Sequence, residues 1–125
     1  MTQRTEQVAA TLKRAIQEVI ARGLSDPRVS GLVTITKVEV AADLANATVY
    51  CSVSPNEQEE LTMHGLTSAS KWVRRKAADK IRIRRMPKLH FKTDTKLRRE
   101  QEVMASIEQA RLEDEARAKK HKSEG

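Results

Sequence analysis

The chain has 125 residues, 38% of them hydrophobic and 33% charged, with a net charge of +7 and a pI near 9.9. That length suits one domain burying roughly 65% of its unfolded surface. No apolar run reaches membrane-spanning length, the lone Cys51 excludes an internal disulfide, and the basic excess favours a polyanionic partner over a small acidic molecule.

The N-terminal stretch MTQRTEQVAATLKR scatters polar residues where a signal peptide needs an apolar block. Glu6 and Glu18 argue against a transit peptide, so a cytoplasmic protein is expected. Residues 5–22 read as a helix, with Val8, Leu12, Ile16, Val19 and Ile20 on one face. Gly23 stops it in a left-handed conformation, Leu24 folds back on its last turn, and Asp26-Pro27 turns the chain.

Residues 32–40, LVTITKVEV, are β-branched and read as a strand. The pattern changes phase inside it: Val33 and Ile35 share one parity, Val38 and Val40 the other. A bulge, or a strand covered on both faces, accounts for this. In residues 46–53, Ala47, Val49, Cys51 and Val53 alternate with polar neighbours, as in a half-buried strand. The short AADLA loop between the two makes them an antiparallel pair, with Asp43 as a turn residue.

Ser54, Pro55 and Glu57 predict a capped helix start with a capping box. The apolar stripe then runs Leu61, Gly65, Leu66, Ala69, Trp72, Val73, Ala77, Ile81. Weak helix formers in its middle predict a kink between Ser68 and Lys71. Pro87 releases a third strand over 88–93, with Leu89 and Phe91 on one side and Lys88, His90 and Lys92 on the other. Residues 97–112 are a candidate helix with a thin stripe of Leu97, Met104 and Ile107. From about residue 113 the chain is charged and is expected to be disordered.

The charge is polarised. Residues 71–99 carry thirteen Lys or Arg against two acids, while the remainder carries eleven bases against fifteen acids. The expected RNA-binding set is Lys71, Arg74, Arg75, Lys76, Lys80, Arg82, Arg84, Arg85, Lys88 and Lys92, with the kink at Ala69, Ser70 and Lys71. Such a surface gains free energy by releasing counterions from a phosphate backbone, and Arg adds forked donors. The competing reading is a solvated helix face, but Asp79 is the only acid within 71–92. The aromatics are few. Trp72 and Phe91 fall on core stripes and Tyr50 reads as a packed tyrosine, so binding depends on backbone charge and shape rather than stacking. His64, His90 and His121 form no metal or acid–base pattern, Cys51 reads as core, and Asp79 and Asp94 are too few carboxylates for a metal-dependent nuclease.

Two stretches, LSDPRVSGLVTITKVEVAADLANATVYCSVSP and RIRRMPKLHFKTD, flank the long helix. Together they closely resemble bacterial ribosome-binding factor A over about residues 5–95. The resemblance implies an α+β fold, a single type II KH-like domain ordered α-β-β-α-α-β. Its second and third helices are kinked, and its helices lie on one face of a three-stranded mixed sheet. It would span 1–96, followed by the candidate helix over 97–112 and a charged tail over 113–125. The resemblance further implies a monomer that binds the free small ribosomal subunit. It would assist late maturation of the rRNA, notably in the cold, with no enzyme activity, cofactor, metal, membrane or small-molecule substrate. The alternatives are a general KH-like RNA-binding protein or RNA chaperone, and an RNA-cleaving enzyme. Two departures stand out. The family's Ala-x-Gly kink reads Ala69-Ser70-Lys71 here, and TKLRREQEVMASI after Asp94 lacks the family's glycine, so helix continues there.

Overall fold

The first apolar stripe builds α1, Gln3–Ala21, and buries Leu12, Ala15, Ile16, Val19 and Ile20. The computed structural model describes residues 3–124, leaving aside the side chains of residues 3, 97, 98 and 119–124. Gly23 ends α1 as expected, at φ +96°, and donates to the Ile20 carbonyl at 3.0 Å. Beyond it, Asp26 accepts hydrogen bonds from the backbone N–H and the Nε of Arg28, at 2.9 and 3.0 Å. The Arg28 guanidinium holds the Asp26 carboxyl down at about 2.

The strands are β1, Leu32–Val40, β2, Asn46–Ser54, and β3, Lys88–Thr93, in sheet order β1-β2-β3. β1 pairs antiparallel with β2, and β2 parallel with β3. The phase change in β1 is a bulge: Ile35 opposes Cys51 and Lys37 opposes Tyr50, leaving Thr36 between them. The Thr36 hydroxyl donates to Asp94 Oδ2 at 2.6 Å, tying the bulge to the residue after β3. In the hairpin loop, Asp43 Oδ1 accepts the Ala45 N–H at 2.9 Å, the expected turn. Gln17 of α1 serves the outer edge of β1, accepting the Ile35 N–H at 2.7 Å and donating to the Val33 carbonyl at 3.3 Å.

The expected capping box does not form. Ser54 is the last residue of β2, paired with Leu32, and Pro55 is extended. A 3-10 turn, Asn56–Gln58, comes before α2, Glu59–Ser68, which has no side-chain cap. The break is where the sequence puts it: Ala69 separates α2 from α3, Ser70–Lys80, at φ −90° and ψ 3°. Lys71, two residues on, lies in the first turn of α3 and is not among the positive-φ residues, so the backbone at that position needs no glycine. Along the stripe, Leu66, Val73 and Ala77 are buried, Trp72 is half-buried rather than in the core, and Leu61 is 53% exposed, against expectation. Thr62, which hydrophobic periodicity passes over, is fully buried. Its hydroxyl donates to the Ser30 carbonyl at 2.9 Å and accepts the Ser30 N–H at 3.3 Å.

Val33, Ile35, Val49, Cys51, Leu89 and Phe91 face the helices, so the sheet buries one side and leaves the other polar. The described residues divide after Asp94. In the second unit, α4 runs Thr95–Glu124, through the segment where composition predicts disorder. It has good helix formers and no Gly or Pro, and Arg111 pairs with Glu108 and Glu115 one turn to either side. Val103, Met104 and Ile107 are exposed. Leu97, His121 and the KKHK run fall among the side chains left aside. Among the described residues no helix is long and apolar enough to cross a membrane.

Gly65 is where α2 presses on the loop before β1. A Cβ there would lie 2.7 Å from Val29 Cγ2 and 3.1 Å from Arg28 Cβ. Gly65→Ala should therefore destabilise the fold by about 1–3 kcal/mol despite alanine's better helix propensity. Urea unfolding measures this, and an unchanged or higher midpoint would contradict the close approach.

Candidate nucleic-acid interface

A groove of about 780 Å³ runs between the broken helix pair and β3. Thr67, Ser70, Lys71, Arg74, Arg75 and Ala78 form one wall; Met86 and residues 88–92 form the other. It gathers Lys71, Arg74, Arg75, Lys88 and Lys92 of the expected set, and no acid lines it among the described residues. Alternation explains half of this. Leu89 and Phe91 are buried, so Lys88, His90 and Lys92 stay exposed on the strand. Val73 and Ala77 pull the other side of α3 into the core and leave Lys71 and Arg75 exposed.

β3 is an edge strand. The N–H groups of Lys88 and Asp94 bond to the Ala45 and Cys51 carbonyls of the β2 side, both at 2.9 Å. In a parallel ladder alternate residues pair on one side, so the amides of Leu89, Phe91 and Thr93 are directed away from β2. The groove thus combines a row of backbone polar groups with a border of cations.

Arg74 differs from its neighbours. Its Nε donates to the Met86 and Pro87 carbonyls at 3.2 and 3.1 Å, and its Nη2 also donates to the Met86 carbonyl. It holds the segment after α3 against the helix, a structural duty that no local sequence pattern signals. The other expected residues lie elsewhere. Arg82, Arg84 and Arg85 line a separate hollow with Arg4 of α1 and Asp43 of the hairpin. Lys80 pairs with Glu18 at 3.3 Å, and Lys76 stands 5.8 Å over the Trp72 ring. Arg4 was missed because its proximity to Arg82 is purely tertiary, with no local signal. His90 Nε2 is 2.9 Å from Asn46 Oδ1, on the open face of the sheet.

The reactive side-chain types among the described residues lie apart from one another. Burial pushes the Cys51 thiol up to about 12, which leaves it un-ionised and inert. His64 is exposed on α2. Among the described residues no three His, Cys, Asp or Glu side chains come together to hold a metal. Tyr50 donates its hydroxyl to Glu39 at 3.3 Å and is half-buried.

Known proteins share this chain's sequence pattern and fold. The profile of the ribosome-binding factor A family covers residues 4–107. The chain is 35% identical to ribosome-binding factor A of Dictyoglomus thermophilum, over 92% of its length and 97% of the relative's. It is 38% identical to that of Gloeobacter violaceus, over 99% and 98%. The crystal structure of ribosome-binding factor A from Thermus thermophilus superposes with a TM-score of 0.62 at 31% identity, covering 71% of this chain and 94% of that one. A homology model of the Thermus thermophilus factor, fitted into a cryo-EM map of a 30S complex, superposes at 0.56 and 32% identity, over 67% and 88%. These likenesses extend to the α-β-β-α-α-β order and the mixed sheet read from the sequence.

The two arginines of α3 should separate on substitution. Arg74→Gln removes charge-assisted bonds to two carbonyls and should cost about 1–3 kcal/mol in urea unfolding. Arg75→Gln, on an exposed side chain, should stay within about 0.5 kcal/mol of the parent. Equal losses would deny Arg74 its structural role.

Proposed function

The chain belongs to the ribosome-binding factor A family, and from that premise we propose that it binds the free small ribosomal subunit through the α3–β3 groove and assists late maturation of its rRNA. The observation that supports this most is the groove itself, where five cations border an open strand edge and no acid lines it among the described residues. A Thermus thermophilus homologue fitted into a 30S complex supports the choice of partner. The domain ending near residue 96 carries the interface. The protein acts as a monomer in the cytoplasm, where ribosomes are assembled.

The work is done by binding and not by catalysis. Released counterions supply affinity, and the forked donor of Arg75 with the point charges of Lys71, Lys88 and Lys92 grips phosphates. A factor that binds one rRNA conformation tenfold better than another shifts their balance by about 1.4 kcal/mol. Rigid helices and strands hold the charges at fixed spacing, and that spacing is what discriminates between conformations. Lys71 adds a cation at the family's glycine position, beside the break at Ala69.

Replacing Lys71, Arg75, Lys88 and Lys92 together with Gln should weaken small-subunit binding in co-sedimentation. On single-stranded RNA it should lower the salt slope by up to roughly 0.7 for each phosphate that is no longer neutralised. Lys76→Gln with Lys80→Gln should change both far less, because those side chains already serve Trp72 and Glu18. Unchanged binding in the groove variant would refute the interface. Equal affinity for free subunits and for unrelated RNA would favour a general chaperone, and RNA fragments after incubation with magnesium would indicate an enzyme.

A further inference from the structure

The sequence presents residues 71–92 as one basic run, but the fold splits it. Five of its cations border the groove, while Arg82, Arg84 and Arg85 gather in a different hollow, also of about 780 Å³, with Gln7, Val8 and Pro87 among its other lining residues. Arg4, from the first turn of α1, completes a set of four guanidinium groups, all on exposed residues. Among the described residues none of the four has an ion-pair partner. Among the described residues one acid lines the hollow, Asp43, whose Oδ1 also accepts the Ala45 N–H at 2.9 Å; its single negative charge offsets one of the four guanidinium groups and leaves the hollow strongly cationic. Four arginines drawn from two distant parts of the chain repel one another, so the arrangement carries a standing cost that an anion would relieve.

We propose that the hollow lined by Arg4, Arg82, Arg84 and Arg85 is a second phosphate site, which grips a stretch of RNA backbone separate from the one in the α3–β3 groove. This rests on the reading of the groove as an RNA interface and extends it from one contact to two. An extended polyanion fits better than a free phosphate, because the four groups come from two elements and the hollow is open and not a closed cage. The Met86 and Pro87 carbonyls held by Arg74 fix the segment that divides the two sites. A factor of this kind bridges two RNA segments and selects the fold that places both within reach, with the second contact gaining from effective concentration.

The test uses the full-length protein and two single-stranded RNAs. An oligonucleotide of about eight residues is within the length one site accommodates, and one of roughly thirty can reach both. Arg4→Gln with Arg84→Gln and Arg85→Gln should leave affinity for the short RNA within about twofold. For the long RNA the same variant should lose roughly tenfold or more, with a salt slope lower by up to about two units. Circular dichroism melts confirm that the variant folds, and Arg→Lys replacements at the three positions should restore most of the long-RNA affinity. Unchanged long-RNA binding by the triple Gln variant would overturn the second site. Equal losses on both RNAs would overturn its separateness. The groove variant, with Lys71, Arg75, Lys88 and Lys92 replaced, should lose affinity for both lengths. If it loses neither, the groove reading fails independently of the hollow.

Discussion

The cationic surface of this protein is organised by the guanidinium of Arg74. A segment that carries Arg82, Arg84 and Arg85 next to a helix carrying Lys71, Arg75 and Lys76 has no electrostatic reason to stay folded against it. Arg74 supplies one, by donating to the Met86 and Pro87 carbonyls. Backbone carbonyls are good partners here because they satisfy the guanidinium without cancelling any surface charge. A carboxylate in their place would hold the segment equally well, but it would put a negative group inside the groove.

The apolar framework makes that arrangement rigid. The sheet turns one side to the helices, and α3 packs on β3, with Val73, Ala77, Leu89 and Phe91 all buried in the one core. The bulge at Thr36 is not a defect in this framework. Its hydroxyl reaches Asp94, across the sheet from β1 to the end of β3, and so couples the strand farthest from the groove to the strand beside it. Thr62 and Gly65 do similar work under α2, the first by hydrogen bonding to Ser30 and the second by leaving no side chain against Val29.

Much of this was legible because it is periodic. The stripes of α1 and α3, the alternation in β2 and β3, and the phase change in β1 each mark their element, and the break at Ala69 follows from weak helix formers. The misses are of another kind. Ser54-Pro55-x-Glu57 has the residues of a capping box, but Ser54 was claimed by the ladder with Leu32. Leu61 keeps helical spacing yet faces outward, and Thr62 is polar yet buried, because the loop before β1 supplies both partners and cover. The site divides the same way. Composition finds the basic run, but only tertiary contacts show that Arg74 is structural, that Lys80 belongs to Glu18, and that Arg4 joins Arg82 from the far end of the chain.

The two outer strands are finished differently. Gln17 covers part of the outer edge of β1 with side-chain hydrogen bonds, whereas β3 keeps a row of outward-facing amides. An uncovered strand edge invites another copy of the same strand, the first step toward aggregation. Stacking β3 on β3 would bring the Lys88 and Lys92 side chains of two molecules to within about 5 Å, inside the roughly 8 Å over which physiological salt screens charge. The lysines that border the groove therefore oppose such pairing, whereas a polyanion laid along that edge would meet attraction instead.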